Sequence, residues 1–240
     1  MRAASSAGGE AAPLPATERA GEGVRFAPGV STAGRPYRNR VSPFGEIFAD
    51  PARGLWLGNR GRLHDGGRTI LRPWQARRWI ICRLEFRGRH REVMSPWTWT
   101  HLFFLDEATA LAAGHRPCGE CRHADYRRFR QLWAALHPSD AAGADAIDLR
   151  LHAERVLGRS GKRVEPAELA GLPDGAFVAQ DSRPWLVRDR LLLEWSPAGY
   201  ISSRPRPRRA VLDLLTPPSV VAVIRAGYAA QVHPTAGAFS

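Results

Sequence analysis

Apolar and polar positions along this chain recur with two different periods, and the changes of period mark out the elements. Between Trp79 and Phe86 the period is two. Ile80, Cys82, Leu84 and Phe86 fall on one face, Arg83 and Glu85 on the other. Arg87-Gly88 suits a hairpin turn, which predicts a return strand over 89–94. From Asp106 the pattern is helical. Asp106 is a good N-cap, Glu107 complements the helix dipole, the alanine-rich run to Ala113 propagates well, and Gly114 suits a left-handed stop. A second helix is expected over 123–136, with Tyr126, Phe129, Leu132, Trp133 and Leu136 as its apolar stripe. A third is expected over 144–157, after a link containing proline and glycine. Short strands are predicted at 176–180, 185–188, 191–195 and 211–215. Thr216-Pro-Pro opens a last helix that Gly227 ends. Glycines at 54, 58, 61, 66 and 67 make 37–72 a region of loops and short strands. The fold class is α+β, with no internal repeat.

Composition narrows this picture. The 240 residues are 44% hydrophobic and 24% charged, enough to bury a core. Residues 1–35 are rich in Ala, Gly, Ser and Pro and read as a disordered tail. The ordered chain then divides into a module over 36–164 and an α+β subdomain over 165–240. No apolar run approaches the roughly 18 residues of a membrane span. The first twenty residues hold no signal-like apolar stretch, so the expected location is the cytoplasm.

The net charge is +12, and Lys162 is the one lysine among 35 basic residues. Codon usage in a GC-rich genome inflates arginine counts, but clustering favours an acidic partner. Residues 60–91 hold ten arginines against Asp65 and Glu85, and Arg204-Pro-Arg-Pro-Arg-Arg209 adds four more. Trp97 and Trp99 flank a proline-containing loop near the first cluster, where aromatics can stack on bases and arginines can grip phosphates. Trp79, on a strand, reads as core. The expected partner is nucleic acid, most simply DNA, with Arg87, Arg89, Arg91, Arg116, Arg122, Trp97 and Trp99 as contacts.

His115-Arg-Pro-Cys118-Gly-Glu-Cys121 carries the clearest chemistry. Cys-x-x-Cys in a compact bend lets two thiolates reach one ion while backbone N–H groups point at the sulfurs, which suits Zn²⁺. A redox pair is the alternative, but the motif does not sit at the end of a strand in a βαβ unit. Two buried thiols without metal is the plain structural reading.

The run from Phe103 to Arg122, FFLDEATALAAGHRPCGECR, resembles the metal-binding domain of Ada-type DNA alkylation-repair proteins. There an aromatic pair leads into an alanine-rich helix and then Gly-aromatic-Arg-Pro-Cys-x-x-Cys-Arg; similar knuckles are appended to some nucleases. The resemblance covers about residues 78–124. It implies a zinc-binding, DNA-associated module: a small β-hairpin/helix knuckle, here elaborated by further helices and a C-terminal set of short antiparallel strands. In that family the other two ligands come from Cys-x-x-x-Cys in the preceding hairpin, and one of those accepts a methyl group from a DNA phosphotriester. Cys118 and Cys121 carry over, and Cys82 carries over as one hairpin ligand. Phe86 stands four residues on, where the second cysteine belongs, which weighs against the methyl-acceptor role. For the fourth ligand, His90 would face away from Cys82 across a two-residue turn, and His115 aligns with a packing aromatic. His64, in a glycine-bounded turn, is the expected ligand.

A second constellation is Asp148 and His152, spaced i,i+4 on the third helix and so on one face. A carboxylate beside an imidazole suits general-base work or metal binding, whereas the plain reading is an exposed polar pair. The chain has no P-loop, HExxH or nucleophile elbow, and Ser160-Gly-Lys162 lacks the spacing of a phosphate-cradling loop. The expectation is a zinc-stabilised, nucleic-acid-binding protein associated with DNA repair or processing. The alternative is a metal-dependent hydrolase or nuclease using Asp148 and His152, and an adaptor for an acidic protein stays open.

Overall fold

A computed structural model describes residues 34–89, 92–140 and 143–239. Residues 1–33 of the tail expected over 1–35, the candidate contact Arg91 and the rejected ligand His90 therefore lie outside the described residues. The fold is mixed α+β, built on two six-stranded sheets.

The first sheet comprises β1 (Arg38–Val41), β2 (Ile47–Ala49), β3 (Trp56–Asn59), β4 (Ile80–Cys82), β5 (Leu102–Phe104) and, after helix α1 (Glu107–Ala112), β6 (Arg116–Pro117). Its spatial order is β2-β1-β5-β3-β4-β6, with β1–β5 and β4–β6 parallel. Helices α2 (His123–Leu136) and α3 (Ala144–Arg155) follow, then a small hairpin of β7 (Val156–Leu157) and β8 (Gly161–Lys162). The second sheet is wholly antiparallel. It takes β9 (Glu165–Glu168), β10 (Phe177–Gln180), β11 (Arg183–Arg188), β12 (Leu191–Ser196), β13 (Gly199–Pro205) and β14 (Val211–Leu214) in the order β13-β12-β11-β10-β14-β9. Helix α4 (Pro218–Arg225) follows.

The strand alternation explains how the second sheet packs. Phe177, Leu186 and Leu193 face one hydrophobic cluster, while Val178, Val187 and Leu192 face another. Both faces are covered, so the apolar run Leu191–Leu193 is read from both sides of the pleat. Leu169 and Val221 close the outer cluster. Leu105, Ala108 and Ala112 close the inner one.

Helix α1 lies between the cores. Ala108 and Ala112 pack on the second sheet, while Ala110 and Leu111 join Ile81, Leu102, Phe104, Phe129, Trp133 and Val223 in the first-sheet core. All six of its residues are buried. Alanine therefore does more here than favour the helix: a small side chain lets packing close in on every side of one rod. Asp106 caps α1, accepting from the Thr109 amide at 2.8 Å. Asp106 also accepts from the Tyr200 hydroxyl at 2.7 Å and the His233 amide at 2.9 Å, which ties the second sheet and the C-terminal segment to the same point.

The expected hairpin is corrected. No described residue of 89–94 lies in a strand, and Met94, buried with a φ of 55°, is not extended. Strand β4 is flanked on both edges: it pairs antiparallel with β3 and parallel with β6. Ile81 points into the core, while Ile80, Cys82, Leu84 and Phe86 are half-buried on the other side.

Gly114 ends α1 with a φ of 88°, and a Cβ there would stand 2.5 Å from Cδ of the Arg155 side chain. Strain and overlap coincide, so Gly114→Ala is expected to cost about 2 kcal/mol or more in urea unfolding. A loss below about 0.5 kcal/mol would contradict this packing.

Candidate metal centre

The β4–β6 ladder assembles the centre. Ile81 pairs with Pro117, and the Cys118 amide donates to the Ile81 carbonyl at 2.9 Å, so the next residues along the two strands, Cys82 and Cys118, emerge side by side. The chain then turns tightly. The Arg122 amide donates to the Cys118 carbonyl at 3.2 Å, which brings Cys121 back over the strand ends. The sulfurs of Cys82, Cys118 and Cys121 lie within 4.8 Å of one another. A tetrahedral zinc thiolate site needs sulfurs about 3.8 Å apart, so a small adjustment lets them hold one metal ion.

Backbone donors support negative charge there. The Glu120 amide points at Cys118 Sγ and the Arg83 amide at Cys121 Sγ, both at 3.4 Å. Hydrogen bonds from Cys121 and Cys82 hold the Cys118 thiol far below its usual range. Partnership with Cys118 in turn pushes Cys82 and Cys121 up. Three neighbouring sulfurs are a donor set that suits a soft or borderline cation.

The knuckle is anchored by Arg122. Its side chain, 3% exposed, pairs with Glu107 at 2.8 Å and Asp125 at 2.8 Å and lies over the Trp56 ring. Glu107 also accepts from Tyr228 and from the Gln231 amide. Arg122 is therefore a scaffold residue and not the surface phosphate contact expected. Arg116 is corrected likewise. It is buried and makes a two-pronged bond to Asp148, at 2.9 and 2.7 Å.

That bond also undoes the expected Asp148–His152 pair. Asp148 points to Arg116, whereas His152 sets its ring edge against Trp74, centroids 4.6 Å apart, and its Nδ1 has no hydrogen-bond partner. Burial lifts the Asp148 carboxyl above its usual range despite Arg116. Burial, reinforced by Arg155 and Arg77, lowers His152. Nor does His64 join the sulfurs. It is buried, with Nδ1 on the Thr100 hydroxyl at 2.6 Å and Nε2 on the Ser95 carbonyl at 3.1 Å. His115 packs between Trp79 and Phe104.

Beside the thiols is a cavity of about 150 Å³, lined by all three cysteines with Leu57, Leu84, Phe86, Trp99 and His101. Sharing Ile80, Trp99, Cys118 and Glu120 with it is a cleft of about 1260 Å³, bordered by Arg77, Arg78, Tyr126 and Asp145. Trp97 and Trp99 are 73% and 59% exposed. Arg87 is exposed and lies over Phe86, and exposed Arg89 pairs with Glu120 at 2.6 Å. Arg77 and Arg78, the exposed arginines on the cleft wall, were not singled out in the sequence, because their strand-edge position depends on the β3–β4–β6 order.

Comparison with protein-family models, with curated proteins and with solved structures finds no match for the chain. No helix among the described residues is long and apolar enough to cross a membrane.

Removing one partner of a buried ion pair leaves the other charge uncompensated. Asp148→Ala is expected to cost about 3–5 kcal/mol in equilibrium unfolding. His152→Ala forfeits one aromatic edge contact and is expected to cost about 1 kcal/mol. Equal and small losses would contradict the assignment of Asp148 to Arg116.

Proposed function

We propose that this chain is a zinc-binding protein that binds nucleic acid, most simply DNA, in association with repair or processing. Cys82, Cys118 and Cys121 would hold Zn²⁺. The observation that carries the reading is that the three sulfurs border the same concavity as the exposed Trp99 and, through the adjoining cleft, Arg77 and Arg78. Guanidinium groups grip phosphates in fork geometry and indole faces accept bases, so a strand laid along this cleft would pass beside the sulfurs. Reduced thiols suit a cytoplasmic setting. The likeness to Ada-type metal-binding domains supports the same reading over residues 78–124. Phe86, which stands in place of that family's second hairpin cysteine, lines the cavity beside Cys82.

A second reading, a metal-dependent hydrolase or nuclease, is favoured by one feature. Three protein ligands leave a tetrahedral ion one further position, the pattern of catalytic rather than structural zinc. The adjoining cavity has room for an outside ligand. Asp148 and His152 add nothing to this reading, since one is engaged by Arg116 and the other packs on Trp74.

Elemental analysis and strand binding test the proposal together. Purified chain is expected to carry about one zinc, and Cys82→Ser and Cys118→Ser to lose most of it. Fluorescence anisotropy with short single-stranded and duplex oligonucleotides is expected to report binding that weakens steeply with salt. Arg77→Gln/Arg78→Gln should reduce the log–log salt slope by about 1.4–1.8. Trp99→Ala is expected to cost about 1–3 kcal/mol if a base stacks there. Metal-free folded protein, or no binding at low salt, would overturn the reading.

A further inference from the structure

Away from the thiols, the chain gathers three cations, two of them buried and Lys162 half-buried, with no carboxylate paired to any of them. Arg60 and Arg155 are 1% and 2% exposed and sandwich the Trp79 ring, their guanidinium carbons 4.1 and 4.0 Å from its centroid. Lys162 extends its ammonium to the same region. The acceptors they use are neutral: the Gly45 and Pro73 carbonyls and His115 Nε2 for Arg60, the Gly114 and Arg77 carbonyls for Arg155, and the Ala112 carbonyl for Lys162. Among the described residues none of the three forms an ion pair with a carboxylate. Asp148 contributes attraction to Arg155, but both of its oxygens are taken by Arg116.

Burying one ion already costs several kcal/mol, and like charges placed together add repulsion. The C-terminal carbonyls of α1 offset only part of this, since a helix end carries about half a charge. Burial holds Arg60 down to about 9, and burial together with Arg60 and Arg155 pulls Lys162 down to about 7.

The cluster surrounds space. A cavity of about 30 Å³ is lined by Arg60, Trp74, Arg155, Ser160, Gly161 and Lys162. That is room for about two waters, or for oxygens of one tetrahedral group. Three buried donors on its walls lack partners: Arg60 Nη2, Arg155 Nε and the Trp74 indole N–H. Ser160 is exposed, so the ring of donors reaches solvent at the β7–β8 turn. The Ser160-Gly-Lys162 run has no P-loop spacing, yet the fold sets it against Arg155 at the end of α3 and against Arg60 from a distant part of the chain.

We infer that this cavity is an oxyanion-binding site, taking the tetrahedral end of a phosphate or phosphate monoester between Arg60, Arg155 and Lys162. Cations supplied by three separate elements, with unpaired N–H groups between them, match such a ligand in charge and in donor number. The site is independent of any metal at the thiols.

The test uses the full chain and inorganic phosphate, with sodium chloride at equal ionic strength as control. Phosphate is expected to raise the thermal unfolding midpoint saturably, as a ligand of the native state does. Lys162→Gln is expected to weaken the apparent affinity at least about tenfold, whereas Arg208→Gln/Arg209→Gln, which removes two exposed charges elsewhere, should leave it unchanged. Should Lys162→Gln not fold, the unmodified chain still decides: phosphate is expected to change tryptophan fluorescence saturably, and chloride is not. One oligonucleotide in 5′-phosphorylated and 5′-hydroxyl forms separates the sources. Displacement of phosphate by the phosphorylated form alone assigns the site to a strand end; equal behaviour of the two assigns it to a free anion. A response to phosphate no larger than to chloride, or one unchanged in folded Lys162→Gln, overturns the inference.

Discussion

The buried ion pair between Arg122 and Glu107 closes a circuit on which the centre depends. From Glu107 the chain runs through α1, turns at Gly114, forms β6, passes the two knuckle cysteines and returns through Arg122 to the first residue of the helix. Within this loop the β4–β6 pairing sets Cys82 beside Cys118. A pair with both side chains about 3% exposed earns little net energy over apolar packing. Its contribution is position: an unpaired Glu107 or Arg122 would be so costly that alternative placements of the knuckle are excluded.

The same helix joins the two cores, so the site is packed against both. Asp106 and Glu107 collect Tyr200, Tyr228, the His233 amide and the Gln231 amide at one end of α1, so the second sheet and the C-terminal segment brace the knuckle from behind. The face of β4 opposite the core is left to the cavity. Ile80, Cys82, Leu84 and Phe86 alternate as a half-buried strand face should, but what covers that face is open space and Trp99 rather than a second layer.

Local signals were legible in the sequence where they were self-contained. The cap at Asp106, the left-handed Gly114 and the alternation over β10–β12 appear where their patterns place them, and the stripe of α2 does so at Phe129 and Trp133, while Leu136 at its end is exposed. The Cys-x-x-Cys bend was legible from its spacing, whereas the partnership with Cys82 was expected from the resemblance to Ada-type metal-binding domains and not from spacing. Pairing across long separations was not legible. The turn at Arg87-Gly88 suggested a hairpin, whereas β4 found its neighbours in β3 and in β6, on the far side of α1. Residues 199–205, Gly-Tyr-Ile-Ser-Ser-Arg-Pro, carry large apolar side chains only at Tyr200 and Ile201, so β13 gave little signal despite being the longest strand among the described residues. Asp148 and His152 share a helix face, but a face does not choose partners: Arg116 outcompeted the imidazole because it offers two donors and a full charge. One overlooked signal was present. Arg155 continues the Ile147–Leu151 spacing by another four residues, which places an arginine on the buried stripe of α3.

The account stands on three sulfurs sharing one ion, with the fourth position left to a lighter donor. X-ray absorption at the zinc edge of the purified chain measures that shell directly. The account predicts three sulfurs at about 2.3 Å and one oxygen or nitrogen at about 2.0–2.2 Å. A shell with two sulfurs or fewer would contradict it.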